Sequence, residues 1–298
     1  MNAAPAPSQR QRTLVATIAQ YAIHALLVAF FLLPLVFMFV SAFKGDELQL
    51  LRDMGSLMAF VPHGDISWQN FADVFERTPF ARAFLNSVFT VSLTVALGLF
   101  VNSLLAYALA RFRFRGRDVL LAVVVALIII PFEAVAVPLL LLVNQLPWLG
   151  ADGLTAGWLD SYHVQIIPFI ANAFSVYLFY QFFIALPKDL EEAALMDGAS
   201  RWRIYWSIVL PLSKPVIATI AVLQFLARWG DLLWPVMVVR GDRYATLPLA
   251  MQTFFGQYPR QWGDVMAFAA MATLPTLLLF VVFQRWFVQS AISSGIKG

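Results

Sequence analysis

Long apolar segments alternate with shorter polar ones along most of this chain, and the pattern predicts six membrane-spanning helices. About 20 consecutive apolar residues suffice for a helix to cross the hydrocarbon core of a bilayer. A polar leader, residues 1–12, precedes the first segment, and Lys-Gly-Asp-Glu at residues 44–47 after that segment is no signal-peptide cleavage site. The predicted spans are residues 13–43, 83–110, 119–143, 163–185, 215–239 and 265–287.

The composition excludes a sizeable soluble domain. Of the 298 residues, 61% are hydrophobic and only 12% are charged, and the mean hydropathy is +0.76. Soluble domains are typically about half apolar and about a quarter charged. The chain has no cysteine, so neither a disulfide nor a thiolate metal site can form. We therefore predict an all-α membrane protein.

The basic residues are divided unequally between the two sets of loops. Arg111, Arg113, Arg115 and Arg117 crowd into the short loop after the second span. Cytoplasmic loops carry an excess of Lys and Arg. Of the 20 basic residues, 12 fall on this side and 7 on the other. The N and C termini are therefore predicted to lie in the cytoplasm.

Proline and glycine interrupt several predicted spans. Pro131 and Pro138 flank Glu133 in the third span, and Gly230 and Pro235 lie in the fifth. A proline inside a helix removes a hydrogen bond and bends or ends the helix. These positions are either static kinks or the bending points of a protein that alternates between two openings.

The polar segment 186–214 carries the signals of two short helices joined by a turn. Asp189 is placed to cap the first helix, whose initial turn holds Glu191 and Glu192, because carboxylates stabilise the positive end of a helix. Gly198 can adopt the left-handed conformation that ends this helix, and Ser200 can cap the next. Such a segment either docks a soluble partner or is an ordinary interfacial loop with amphipathic helices.

The spacing within this segment is specific. Glu-Ala-Ala is followed after three residues by Gly, and after nine more by Ile-x-Leu-Pro. This spacing resembles the cytoplasmic EAA loop of the membrane-spanning subunits of ATP-driven (ABC) importers, and we call residues 186–214 the EAA loop. The resemblance implies that the loop couples the chain to an ATPase. The implied coupling residues are Glu192, Ala193, Ala194, Asp197, Gly198, Ile208, Leu210 and Pro211.

Motifs outside the EAA loop extend the resemblance over nearly the whole chain. Asn86 and Ser87 open the second span, AYALARFRFRGR closes it, TLPLA occupies residues 246–250, and SGIKG ends the chain. Together they resemble the carbohydrate-uptake permeases of the maltose type, in particular the six-span partner of each permease pair. The fifth span departs from that family, because Trp229-Gly230-Asp231 stands where Trp-Asn is often found.

The resemblance implies an importer of the bacterial or archaeal cytoplasmic membrane, with its spans in contact with lipid. This chain and a second permease subunit would form the pathway, and an external solute-binding protein would deliver a mono- or oligosaccharide. Two ATPase subunits would bind ATP and Mg²⁺, while this chain would bind no cofactor. Its tail, residues 289–298, would reach the ATPase through Lys297.

The charged residues Glu133, Arg228 and Asp231 fall inside predicted spans, well away from the span ends. A charge at the bilayer centre costs about 2.5–3.5 kcal/mol on insertion scales, so these residues should face protein or a water-filled interior. Arg228 and Asp231 share one helical face, so they either pair or line a solute pathway. Trp229 and Trp234 are candidates for stacking on a sugar ring, or else anchors at the membrane interface.

The sequence contains no motif for catalysis. His24, His63 and His163 are scattered, so their spacing gives no metal site. A phosphate-binding G-x-x-x-x-G-K-[ST] loop is absent, which assigns ATP hydrolysis to another chain. The pI of about 9.3 comes from basic residues at the ends of spans rather than from a nucleic-acid-binding surface. We predict a non-catalytic membrane subunit.

Other interpretations stay open at this point. The same architecture serves permeases for glycerol phosphate, polyamines or amino acids. A proton-coupled secondary transporter would use Glu133 and the Arg228–Asp231 pair as a relay, although it would not require an EAA loop. A membrane enzyme or scaffold would account for the hydrophobicity alone and would lack a catalytic cluster.

Overall fold

The computed structural model describes residues 9–150 and 153–295 and is predominantly helical. A π-helical turn, Tyr205–Val209, and two 3-10 helices, Leu57–Phe60 and Ile167–Phe169, connect α-helices in these ranges. The α-helices are α1 (Gln9–Ala42), α2 (Glu47–Asp53), α3 (Gln69–Arg77), α4 (Phe80–Arg111), α5 (Arg117–Ile129), α6 (Phe132–Val143), α7 (Tyr162–Ile166), α8 (Ala173–Ala185), α9 (Asp189–Met196), α10 (Arg201–Ile204), α11 (Leu210–Leu212), α12 (Lys214–Trp229), α13 (Leu233–Val238), α14 (Leu247–Phe255) and α15 (Trp262–Gly295).

Helices long and apolar enough to cross a membrane recur along the described chain. By length and composition, four qualify: Ala16–Ala42, Phe80–Arg111, Tyr162–Ala185 and Trp262–Phe283. Two bent pairs qualify as well: α5 with α6, at 107°, and Arg201–Leu212 with α12, at 76°. The count is therefore four spans, or up to six if each bent pair is one span.

The third predicted span, residues 119–143, bends sharply between α5 and α6, at one of the two prolines expected to interrupt it. Pro131 precedes α6, and the residue before it, Ile130, has an extended backbone with φ −77° and ψ 116°. A proline ring disfavours the helical conformation of the preceding residue, so α5 ends there. Pro138, by contrast, is accommodated inside α6.

A short two-stranded hairpin, residues 147–150 and 153–156, interrupts the predominantly helical structure. Strands β1 (Pro147–Gly150) and β2 (Gly153–Ala156) pair in an antiparallel hairpin, with Pro147 opposite Ala156 and Gly150 opposite Gly153. Proline and glycine are the weakest helix formers, so this segment has little tendency to extend α6.

The described chain divides into two compact units, and the first comprises residues 9–78 and 254–272. Lys44, just after α1, is 1% exposed, and its Nζ donates to Oδ2 of Asp53 at 2.6 Å and to the carbonyl oxygen of Met58 at 2.8 Å. Arg77 at the end of α3 pairs with Asp264 in the first turn of α15. Buried charges are tolerated when they are paired in this way.

The second unit comprises the described residues of 79–253 and 273–295, and α4 packs there against α8 and α12. Small and polar residues recur about every four positions on α4, which places them on one face. Small side chains let neighbouring helices approach closely, and polar ones join them by hydrogen bonds. The buried polar or glycine positions of α4 are Asn86, Ser87, Thr90, Thr94, Gly98, Asn102 and Ser103.

Asn102 illustrates how this face holds the interior. Its Nδ2 donates to the carbonyl oxygen of Ile170, and its Oδ1 accepts from the backbone N–H of Asn172, both at 2.9 Å. These groups lie in the break between the 3-10 helix and α8, where helical hydrogen bonds are missing. The Asn102 side chain thus supplies hydrogen bonds in place of the missing helical ones.

Candidate functional site

The EAA loop folds into two short helices joined by a tight turn. Helix α9 begins at Asp189, which is therefore its first residue and not the cap that the sequence suggested. The helix ends before Gly198, whose φ of +80° is the expected left-handed conformation. The backbone N–H of Ala199 donates to the carbonyl oxygen of Ala194 at 2.9 Å, a bond that commonly closes a helix.

The second helix starts as predicted. Oγ of Ser200 accepts from the backbone N–H of Arg203 at 3.2 Å, which satisfies one of the open donors at the start of α10. The helical path then continues through the π-turn Tyr205–Val209 to Leu212.

Most implied coupling residues lie at the surface. Glu192, Ala193, Asp197, Gly198 and Pro211 are exposed, while Ala194, Ile208 and Leu210 are partly buried against the core. A groove of about 230 Å³ lies beside them, lined by Ala194, Asp197, Ala199, Arg203, Ile204, Ser207 and Ile208. Its lining combines the buried Ile204 with the exposed polar side chains of Asp197, Arg203 and Ser207.

A buried ion pair anchors this loop. Nε of Arg111, at the end of α4, donates to Oε1 of Glu191 in α9, and their side chains are 4% and 6% exposed. Tyr107 donates from its hydroxyl to Oε2 of Glu191 at 3.2 Å, and Nη2 of Arg111 donates to the carbonyl oxygen of Leu186 at 3.1 Å. The exposed Glu192 is thus presented by a helix whose neighbouring Glu191 is fixed in the interior.

The ion pair expected between Arg228 and Asp231 is formed. Nη1 of Arg228 lies 2.9 Å from Oδ2 of Asp231, and the guanidinium carbon lies 4.0 Å from the ring centroid of Phe169. Helix α12 ends at Trp229 and α13 begins at Leu233. The segment predicted as the fifth span, residues 215–239, is therefore interrupted at Gly230. Asp231 lies in that break.

Trp229 and Trp234 are both buried, at 8% and 1% exposure. Nε1 of Trp234 donates to the carbonyl oxygen of Val164 at 2.9 Å, and its ring packs edge-on against Phe132. The ring of Trp229 stacks on Phe225 with centroids 5.1 Å apart. In this conformation both indoles belong to the packed interior of the second unit.

A small polar cavity lies between α4, α7 and the break after α12. Its volume is about 20 Å³, and its lining residues are Thr90, Val91, Thr94, Gln165, Arg228, Asp231, Trp234, Pro235 and Thr246. Among the described residues, Oε1 of Gln165 and Oγ1 of Thr246 are buried and lack a hydrogen-bond partner. We call this space the polar cavity.

Two sequence motifs that lie far apart in the chain meet beside this cavity. Nδ2 of Asn86 donates to the carbonyl oxygen of Ala245 at 2.8 Å, and the backbone N–H of Leu247 donates to Oγ of Ser87 at 2.8 Å. These bonds hold both neighbours of Thr246 against α4. The Asn86-Ser87 and TLPLA motifs therefore position one wall of the polar cavity.

The remaining sequence candidates are not brought to this cavity. Glu133 is exposed in the first turn of α6 and forms no ion pair among the described residues. Lys297 lies outside the described residues. Helix α15 continues beyond residue 287 to Gly295, so residues 289–295 are helical.

The histidines also remain apart. His163 stacks on Trp148 with centroids 3.9 Å apart, and Nε2 of His63 lies 2.9 Å from Oδ2 of Asp53. Within residues 9–150 and 153–295, no group of three His, Cys, Asp or Glu side chains could hold a metal ion.

Bent and broken apolar helices, an anchored surface loop and a polar cluster between the helices are features of a membrane-transport component. Residues 95–293 match the family described as "Binding-protein-dependent transport system inner membrane component". The chain belongs to this family. It is therefore a transport component that works with a binding protein, and the proton-coupled alternative is not favoured.

Similar proteins include two permease components. "Arabinooligosaccharides transport system permease protein AraQ" of Halalkalibacterium halodurans is 32% identical over 266 residues, covering 89% of this chain and 91% of that protein. "Lactose transport system permease protein LacG" of Rhizobium radiobacter is 30% identical over 277 residues, covering 93% of this chain and 95% of that protein.

A solved structure shares the fold. A chain of a bacterial ABC transporter involved in the import of the acidic polysaccharide alginate superposes with a TM-score of 0.77 and 22% identity, covering 95% of this chain and 100% of that one. The described helices therefore have the fold of an ABC transporter chain.

Proposed function

We propose that this chain is a non-catalytic permease subunit of an ATP-driven sugar importer and forms half of its transmembrane pathway. A second permease subunit forms the other half, and an external binding protein delivers the sugar. Two cytoplasmic ATPase subunits bind ATP and Mg²⁺. The observation that carries this proposal is the EAA loop, an exposed helix–turn–helix held to α4 by the buried pair of Arg111 and Glu191.

The exposed residues of α9 and the adjacent groove make the contact with the ATPase in this proposal. Glu192, Ala193 and Asp197 offer the accessible face of α9, and Gly198 sets the angle to the second helix. Ile208 and Leu210 pack that helix against the core, and Pro211 lies exposed beside them. The tail, through Lys297, would add a further contact to the same partner.

The geometry gives a physical route from the loop to the interior. A displacement of α9 is passed to the end of α4 because separating a buried ion pair costs several kcal/mol. Helix α4 runs unbroken from Arg111 to Phe80, and its other half carries Thr90 and Thr94 at the polar cavity. One helix thus connects the docking surface with the charged pair of Arg228 and Asp231, which we assign to the solute pathway.

The proposed topology has six spans, with both termini in the cytoplasm of a bacterium or archaeon. The excess of basic residues on one side supports it. The apolar window within Ala16–Ala42 has no buried residue in the described chain, as expected of a helix covered by lipid or by another subunit.

A sugar is the favoured solute because the relatives AraQ and LacG carry arabinooligosaccharides and lactose in their names. In this assignment the buried Trp229 and Trp234 shape the pathway wall, and Arg228 and Asp231 face its polar interior.

The test is purification of the tagged chain from its native membrane, followed by reconstitution into vesicles. We expect a second permease chain and an ATPase to co-purify, and sugar uptake to require both ATP and the binding protein. Uptake driven by a proton gradient without ATP would overturn the proposal.

A further inference from the structure

The polar cavity points to the chemical class of the solute. On the basis of the function proposed above, we propose that the polar cavity is a subsite that binds one hydroxyl group of an uncharged sugar or polyol. An anionic group, such as a phosphate or a carboxylate, is disfavoured in this cavity.

The unpartnered polar atoms define what the subsite can bind. Gln165 is 6% exposed and Thr246 is 7% exposed, and their free atoms, Oε1 and Oγ1, are both buried. An amide oxygen only accepts hydrogen bonds, whereas a hydroxyl both donates and accepts. A solute hydroxyl can therefore donate to Gln165 and accept from Thr246 at the same time.

The size of the cavity favours the same ligand group. Its volume of about 20 Å³ suits one oxygen-sized group, since a single water needs at least about 10–15 Å³. A phosphate group, with four oxygens around phosphorus, would require a larger space. The fit is therefore to one hydroxyl of a solute whose ring lies outside the cavity.

The charges at the cavity exclude an anionic group for a separate reason. Arg228 is already paired with Asp231 at 2.9 Å, and its guanidinium carbon lies 4.0 Å from the Phe169 ring centroid. A carboxylate or phosphate would have to displace Asp231 and leave that carboxylate unpaired. Such an arrangement discriminates against anions by repulsion and lost pairing rather than by shape alone.

Both hydrogen-bonding groups are held in place before a solute arrives. Nε2 of Gln165 donates to the carbonyl oxygens of Ser161 and Tyr244, at 3.3 and 3.1 Å, which orients Oε1. Residues 245 and 247 are bonded to α4, which fixes Thr246. Asp231, which also lines the cavity, lies in the break between α12 and α13, the kind of break where transporters place solute sites.

The first test measures which solutes enter vesicles that contain the complete transporter and its own binding protein. An equimolar mixture of lactose, arabinotriose, sn-glycerol 3-phosphate and an alginate trisaccharide is supplied with ATP, and the vesicle contents are identified by mass spectrometry. We expect a neutral sugar to accumulate. Accumulation of only the charged solutes, or of none, would contradict the subsite. Co-purification of the ATPase would then still support the importer function.

The second test removes the Thr246 hydroxyl without changing its shape. Thr246→Val should slow uptake of the neutral sugar about two- to tenfold, the effect of one hydrogen bond. The control is Thr219→Val, because within the described part of the chain the Thr219 hydroxyl bonds its own helix, from Oγ1 to the carbonyl oxygen of Pro215. Membrane abundance of both variants is compared with that of the unaltered chain.

Monodeoxy derivatives of the imported sugar separate a binding role from a structural one. The derivative that lacks the bound hydroxyl should enter at the same rate with Thr246→Val and with the unaltered chain. Equal slowing of every derivative, or no slowing of the parent sugar, would overturn the proposal.

Discussion

Arg111 and Glu191 form an ion pair that joins the end of α4 to the first turn of α9, across 80 positions of sequence. Both side chains are almost fully buried, and Tyr107 completes the coordination of the carboxylate at 3.2 Å. The EAA loop is therefore attached to the interior of the second unit by charge as well as by apolar packing.

Removal of one partner should destabilise the protein and uncouple it. Arg111→Ala or Glu191→Ala leaves a buried charge uncompensated, at a cost of about 3–5 kcal/mol. We expect a lower unfolding temperature of the purified complex and fewer sugar molecules imported per ATP hydrolysed. Arg113→Ala, in the exposed part of the same basic loop, is the control. Single variants no worse than this control would show that the ion pair is dispensable.

Gly198 and Gly116 allow backbone strain to be separated from coupling. Their φ values are +80° and +88°, and no atom lies within 4 Å of a Cβ added at either position. An alanine at either position must adopt the left-handed backbone conformation, which should lower the free energy of unfolding by about 1–2 kcal/mol in both variants. Only Gly198→Ala should also lower sugar-stimulated ATP hydrolysis in vesicles. Equal loss in both variants would attribute the defect to strain alone.

Arg228 and Asp231 should behave as a coupled pair. Arg228→Ala leaves Asp231 without its cation, so uptake should fall, and addition of Asp231→Ala should restore part of it. Residues in direct contact show interaction energies of about 0.5–3 kcal/mol in such cycles. The cycle is measured by uptake rates corrected for membrane abundance. Strictly additive losses would instead indicate two independent roles.

Asp53 should give the stability of the protein an acid-dependent component. The hydrogen bond from Lys44 holds the pKa of its carboxyl below the usual value. A carboxyl whose pKa is lower in the folded state stabilises the fold above about pH 4, and that contribution is lost as the pH falls further, through the folded pKa.

Thermal unfolding between about pH 5 and pH 3 tests this dependence. The unaltered chain should lose more stability over that interval than Asp53→Asn, which has no carboxyl to protonate. Asp118→Asn removes a carboxylate whose side chain is 92% exposed and should leave the dependence unchanged. Identical profiles for all three proteins would contradict the assignment.

Local sequence rules were sufficient where structure depends on neighbouring residues. Gly198 and Ser200 end and start helices through bonds to their own turns. Arg228 and Asp231 pair because they are three positions apart. The apolar runs likewise located the long helices, since segment length alone decides whether a helix can span a bilayer.

Local sequence rules could not predict features that depend on residues far apart in the sequence. Arg111 belongs to a basic cluster of the kind that marks a cytoplasmic loop, and Glu191 is a typical residue for the first turn of a helix. Neither local signal shows that the two side chains meet in the interior. Pro131 indicated an interruption, but the residues around it do not predict an angle of 107°. Gln165 and Thr246 are common residue types that only the fold brings together.

The absence of cysteine from the chain allows the docking of the EAA loop to be tested with a single introduced thiol. Asp197 is exposed and lines the groove of the EAA loop. Leu154 is 76% exposed on β2 and lies on the side assigned to the exterior. Each residue is replaced by Cys in a separate variant. The ATPase subunit carries one surface thiol, and the partner subunits have no other accessible thiol.

The deciding measurement is cross-linking by a short bis-maleimide in membrane vesicles. We expect Asp197→Cys to give a cross-linked product with the ATPase subunit that changes in yield when ATP is added, and Leu154→Cys to give none. A product from Leu154→Cys, or none from Asp197→Cys in a complex that still transports sugar, would contradict the assignment of the EAA loop as the coupling element.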